Sequence, residues 1–206
     1  MFSDIIIPKN NEDEFIELAA RLGYKKLHFL YNFDDYYKGK IQKKLESIEN
    51  KKINLQIGFT INQKNINKAL QQSKLLVAKS SDKDRFFIES KKIKLIYGFE
   101  EVHKKDYMHQ RASGLNHIIC ELASKNNVAI GFSYGLLLNK DLIFTSILIG
   151  RMMQNIKLCV KYKCNMAIAS FSNNPMHLRS PYDVLSLFKV LGLNDKYFKD
   201  YVSFNF

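Results

Sequence analysis

The chain has 206 residues, 46% hydrophobic and 13% aromatic, which suits one sizeable folded core and argues against a disordered chain. Lys and Arg outnumber Asp and Glu by 32 to 20, and the formal charge of +12 favours polyanionic partners such as nucleic acid or an acidic membrane surface. The three cysteines, Cys120, Cys159 and Cys164, are odd in number and lack metal-type spacing, so no disulfide framework is expected and a reducing compartment suits them.

Seven short apolar runs have the character of strands: FSDIII, KLHFL, INLQIGF, KLLVA, IKLIYGF, VAIGFS and MAIAS. Between them run amphipathic helical patterns. In the first, Asn11 can cap, Glu12, Asp13 and Glu14 suit the positive end of the dipole, Phe15, Leu18, Ala19 and Leu22 form the buried stripe, and Gly23 can terminate. Asp4 and the acidic NEDE run oppose a signal-type or transit-type start, and the longest uncharged apolar stretch, around VAIGFSYGLLL, is too short to span a bilayer. A soluble cytoplasmic protein without a membrane partner is expected. The basic excess begins after the first helix, with six lysines against two glutamates in KGKIQKKLESIENKK. Just before it, YNFDDYYKGK mixes Tyr31, Phe33, Tyr36 and Tyr37 with Lys38 and Lys40, a weak single-strand-binding signature.

The period fails over residues 100–113, where Lys104, Lys105 and Arg111 cluster. In SGLNHIICELASKNN, Leu115, Ile118, Ile119, Leu122 and Ala123 fit one helix face. A long helix near 144–163 repeats the pattern through Phe144, Ile147, Leu148, Met152, Ile156, Cys159 and Val160. Its other face carries Gln154, Lys157 and Lys161, flanked by Arg151 and Asn155, and could meet phosphates or simply be solvated. In HLRSPYD, Ser180 suits an N-cap, Pro181 the first helical position and Asp183 a capping box, with Gly192 closing the helix. Arg179 is left over, free to bind a phosphate, pair with an acid across a barrel mouth or pack against a protein.

Strict alternation of strand and helix implies parallel strands. With no glycine fingerprint of nucleotide-binding sheets, a single α/β domain over 1–206, a TIM-like (β/α) barrel of about seven strands, is expected rather than an open doubly wound sheet. The loop after the fifth strand would then lie on the carboxyl face, where such barrels place their working surfaces. Catalytic signals are missing. There is no His-x-His pair, Gly-x-Ser-x-Gly elbow or phosphate loop, and the five histidines are scattered; His28 reads as a strand residue and His117 as a hydrogen-bonded helix residue. No catalytic and no metal-binding residue is expected.

Three separated motifs, SGLNHIICELASKNNVAIGFS, RMMQNIKLCVKYKCNMAIAS and HLRSPYDVLSLFKVLGL, resemble the archaeal and eukaryotic thirty-kilodalton ribonuclease P subunit family, most sharply over residues 113–193. Position by position the resemblance falls on Gly114, Leu115, Asn116 and His117, on 128–133, on Arg151, Met152, Asn155, Lys161 and Tyr162, and on Arg179 through Asp183. Where the family commonly runs Ser-Gly-Ala, this chain has Ser170, Phe171 and Ser172.

The resemblance implies a barrel related to metal-dependent phosphoesterases of the PHP type but without their metal site. It implies a noncatalytic subunit of the ribonucleoprotein that removes the 5′ leader from precursor tRNA. No cofactor would be bound by this chain, and Mg²⁺ would be held by the RNA. Its partners would be the ribonuclease P RNA, precursor tRNA, a small ferredoxin-like subunit (component 2) and other ribonuclease P proteins. RNA contact is expected from Lys104, Lys105, Arg111, Arg151, Lys157, Lys161 and Arg179, with Asn116, His117, Asn155, Ser180 and Asp183 as motif residues of structural role. Two other classes remain open: a divergent phosphoesterase or nuclease acting alone, and a protein-interaction scaffold.

Overall fold

A computed structural model of the protein describes residues 2–37, 53–138 and 141–194. The lysine-rich segment, including Lys38 and Lys40, lies outside the described residues. Seven strands, β1 (Ser3–Ile6), β2 (Lys26–Asn32), β3 (Asn54–Thr60), β4 (Leu76–Lys79), β5 (Leu95–Tyr97), β6 (Ala129–Ser133) and β7 (Met166–Ala169), pair in sequence order and all in parallel. The expected number and direction of strands are therefore observed.

The sheet curls until β7 meets β1. Phe171 N–H donates to the Ile5 carbonyl at 2.8 Å and Ile7 N–H to the Ser172 carbonyl at 2.9 Å. Between them Asp4 acts as a side-chain rung, its Oδ1 accepting from Ser170 N–H at 2.7 Å and its Oδ2 from the Tyr134 hydroxyl at 2.8 Å. Burial pushes the Asp4 carboxyl up to about 6, against the pull of those hydrogen bonds.

Alternation along the strands divides the apolar residues into two layers. Ile5, Leu30, Val77, Leu95, Ala129, Ala167 and Ala169 fill the lumen. Ile6, Leu27, Phe29, Leu76, Ile130, Phe132 and Ile168 face outward beneath the helices. At the carboxyl mouth Tyr97 and Phe171 stack at 4.3 Å with their planes 3° apart. Phe171 holds a left-handed φ of 46°. That conformation, disfavoured for a residue with a Cβ, sets the Phe171 ring flat against Tyr97.

Among the described residues the helices are α1 (Glu12–Arg21), α2 (Phe33–Tyr37), α3 (Ile66–Gln72), α4 (Asp84–Ser90), α5 (His117–Asn126), α6 (Leu142–Lys161) and α7 (Pro181–Val190). Asn11 departs from its expected role. It precedes α1 but makes no side-chain cap; its Oδ1 accepts from Lys9 N–H and its amide donates to the Asn173 carbonyl, linking two loops. The aromatic run from the end of β2 into α2 is mainly core through Tyr36, since Tyr31 and Phe33 are buried and Tyr36 packs on Phe59 at 4.6 Å. Tyr31, Phe33 and Tyr36 are thus engaged in the fold rather than offered to bases.

Helix α6 is long and apolar enough to cross a bilayer by length and composition alone. Here Leu148, Met152, Ile156 and Cys159 pack it against the barrel, while Val160, expected in that stripe, is exposed. Ile118 of α5 is likewise exposed rather than buried.

Candidate nucleic-acid interface

The connection from β5 to α5 leaves the carboxyl end of the barrel as one short 3₁₀ turn, Phe99–Glu101, followed by residues 102–116 without regular structure. A long irregular segment needs other partners for its backbone and charges. They come from α6. Arg151 is fully buried; its Nε donates to Asp106 Oδ1 at 2.8 Å, and its Nη1 donates to the carbonyls of Glu100 and His103, each at 2.7 Å. One turn on, Asn155 Nδ2 donates to Glu100 Oε1 at 2.7 Å and to the Ser113 carbonyl at 2.9 Å. Gln154 adds a bond to Ser113 Oγ at 3.2 Å.

Two glycines permit this close fit. A Cβ on Gly114, whose φ is +78°, would lie 2.2 Å from the Phe99 carbonyl oxygen. A Cβ on Gly150 would meet the guanidinium of Arg111 at 3.0 Å, where that group lies over the helix with Nη1 donating to the Gly150 carbonyl.

The electrostatics follow from burial. Glu100, with no exposed surface, has its carboxyl pushed up to about 7 by desolvation, opposed by the Asn155 hydrogen bond and by Arg151. Partial burial would raise the Asp106 carboxyl, but the Ala112 N–H and Arg151 outweigh it and hold the group below the usual carboxylate value. The loop is thereby fixed from beneath, and Lys104, Lys105 and Arg111 project at the surface beside exposed Tyr107 and Met108.

This geometry redistributes the expected site. Arg151 and Asn155 do not face solvent: both are 0% exposed, and they organise the loop rather than present charge. Sequence spacing put Arg151 on the polar edge of α6, but the loop folds back over that edge and covers it. Lys157 and Lys161 remain exposed on the same helix, with Lys161 Nζ 5.5 Å above the Tyr162 ring. Asn116 caps α5 by accepting from Ile119 N–H at 2.9 Å, and His117, the first helical residue, is exposed. The contributions of Glu100 and Asp106 were missed, and their position in an acid-bearing loop beside a helix with a lone central arginine is the available signal.

At the other chain end Ser180 caps α7, accepting from Asp183 N–H at 3.2 Å and donating to Asp183 Oδ2 at 2.8 Å, with Pro181 at the helix start. Arg179 is exposed, and its Nη1 donates to the carbonyls of Met176 and Leu178 at 2.9 and 2.8 Å. It shares a groove with Tyr134, Leu138 and Asp183. Arg179 and the loop cations are thus anchored by different elements.

His28 points into the barrel, where burial and then Lys26 push its pKa down to about 3. Among the described residues, the three cysteines are the one group of three or more His, Cys, Asp or Glu whose ligand atoms come together.

Comparison with known proteins gives a consistent result. The family described as RNase P subunit p30 matches residues 102–206, the half that carries the loop, α6 and α7. Ribonuclease P protein component 3 of Methanocaldococcus jannaschii is 25% identical over 193 residues, spanning 91% of this chain and 82% of the relative. The corresponding Methanococcus maripaludis S2 protein is 25% identical over 178 residues, 84% and 75% of the two chains. A chain from a cryo-EM structure of archaeal ribonuclease P with mature tRNA superposes with a TM-score of 0.72 at 20% identity, covering 96% of this chain and 85% of the other. Aspergillus niger ochratoxinase, at 7% identity and a TM-score of 0.58 over 98% of this chain and 69% of its own, shares only the fold.

Proposed function

This chain belongs to the RNase P subunit p30 family, and from that premise we propose that it is a noncatalytic protein subunit of ribonuclease P, acting in removal of the 5′ leader from precursor tRNA. The observation that carries the reading is that the family match spans the very segment in which buried Arg151 and Asn155 hold a cation-bearing loop at the carboxyl face of the barrel.

The physical role is charge compensation on a fixed frame. Phosphates brought together in a folded RNA repel one another, and lysines and arginines that displace condensed counterions lower that cost. Lys104, Lys105 and Arg111 supply one such set, Lys157 and Lys161 a second, and Arg179 a third point. Mg²⁺ that activates water at the scissile phosphate is held by the RNA rather than by this chain. A small ferredoxin-like subunit is the protein neighbour, and the pair supports the catalytic domain of the RNA.

An enzyme acting alone is less well supported. Tyr97 and Phe171 stack at the carboxyl end of the barrel, and no grouped His, Asp or Glu donors lie there among the described residues. The test is reconstitution of precursor-tRNA cleavage, with and without this chain, across a Mg²⁺ series. Omitting the chain should raise the Mg²⁺ needed for half-maximal cleavage; identical Mg²⁺ curves, or cleavage by the chain without RNA, would overturn the reading.

A further inference from the structure

Cys120, Cys159 and Cys164 are the chain's only cysteines, contributed by α5, by α6 and by the turn into β7. Their Sγ atoms all lie within 4.8 Å of one another. The spacing of the residues does not announce this meeting; helix termination brings two of them together. Helix α6 ends at Lys161, Lys163 takes a left-handed φ of 56°, Lys163 N–H donates to the Val160 carbonyl, and Cys164 N–H donates to the Cys159 carbonyl at 2.9 Å. That is the Schellman arrangement, which folds the second residue beyond the cap back onto the last turn. Cys120, on the buried side of α5, completes the set, with Cys164 Sγ 3.3 Å from its carbonyl oxygen.

We propose that these three cysteines form a site for one thiophilic d¹⁰ cation, Zn²⁺ or Cu⁺, that fastens α5 to the end of α6. Three sulfurs around one ion at about 2.3 Å stand about 4 Å apart, so small side-chain rotations convert the observed cluster into a trigonal donor set. The donors are sulfur alone, the chemistry that selects soft ions over Mg²⁺ or Ca²⁺. Cys120 and Cys159 are 0% exposed and Cys164 is 5% exposed, so the bound ion would be shielded from competing ligands. Buried cysteines acting only as small apolar side chains is the competing account.

The site is structural. It lies toward the end of α6 away from the loop held by Arg151, beside Lys157 and Lys161, so its loading is read by metal and thiol counts rather than by RNA binding.

The test uses the full reduced chain offered Zn²⁺, or Cu⁺ under anaerobic conditions, then desalted, with metal and free thiols both counted. About one ion per chain should be retained with one of the two ions. Titration with Cd²⁺ should produce the ultraviolet sulfur-to-metal charge-transfer band, saturating near one equivalent. Cys120→Ala and Cys159→Ala should each weaken retention at least a hundredfold at unchanged far-ultraviolet circular dichroism. Retention of neither ion by reduced wild-type protein, absence of the Cd²⁺ band, or equal retention by Cys120→Ala/Cys159→Ala/Cys164→Ala would overturn the proposal. The Cd²⁺ readout needs no variant and decides the matter even if the variants unfold.

Discussion

Arg151 Nε donates to Asp106 Oδ1 at 2.8 Å, joining a fully buried guanidinium on α6 to a carboxylate in the loop after β5. Asp106 is 26% exposed and can be rehydrated, but removing the guanidinium leaves the Glu100 and His103 carbonyls without their donor, which costs about 1–3 kcal/mol. Arg151→Met is therefore expected to lower Tm by roughly 2–12 °C for a domain of this size. Arg151→Lys should rescue little, because an ammonium cannot reproduce the fork that reaches Asp106, Glu100 and His103 together. Thermal melts of the two variants check this; a wild-type Tm in Arg151→Met would show that the network contributes no stability.

Glu100 gives the fold a pH dependence with a definite sign. Its folded carboxyl is raised from 4.5 to about 7, so burial favours the protonated form. The stability tied to that proton is complete below pH 4.5 and disappears as pH rises through 7, a change of roughly 3 kcal/mol. Glu100→Gln, which keeps an oxygen for Asn155, should be more stable than wild type at pH 8 and show a flatter profile between pH 5 and 8. Asp4 titrates in both proteins, so the difference between their denaturation curves isolates Glu100. Parallel curves would contradict the assignment.

Lys104→Gln/Lys105→Gln should leave Tm within about 0.5 kcal/mol equivalent of wild type, since both side chains are exposed. If each meets a phosphate, the slope of log affinity for ribonuclease P RNA against log salt should fall by roughly 1.4 to 1.8. Lys157→Gln/Lys161→Gln should behave similarly if α6 also faces RNA. Filter binding over a salt series separates the two surfaces, and the pair whose loss leaves the slope unchanged is not part of the interface.

Arg179→Ala should weaken holoenzyme assembly or RNA support more than it lowers folding stability. Its neighbours Ser180, Pro181 and Asp183 already start α7, and its guanidinium, apart from two local carbonyl contacts, is exposed. Melting and reconstituted cleavage measured side by side decide it. A large fall in Tm with full activity would reassign Arg179 to the loop.

The elements were legible because their signals are local. Apolar runs of five to seven residues located every strand among the described residues, and Ser180, Pro181 and Asp183 announced α7 because capping chemistry is satisfied within one turn. The polar face of α6 was less legible. Helical spacing predicts which residues share a face, but it does not say what folds over that face, and Arg151 and Asn155 proved to be covered by the loop.

By itself, then, the sequence determined the alternation of strand and helix, the parallel barrel that alternation requires and the family motifs after residue 112. Only the tertiary structure decided which cations remain at the surface, which one is buried as an anchor, that Phe171 stacks on Tyr97 and that three distant cysteines meet. The reason is range. Propensity, periodicity and capping act over a few residues, whereas burial of Arg151 by a loop some 45 residues earlier, or of Cys120 beside Cys164, exists only once the barrel has brought those segments into contact.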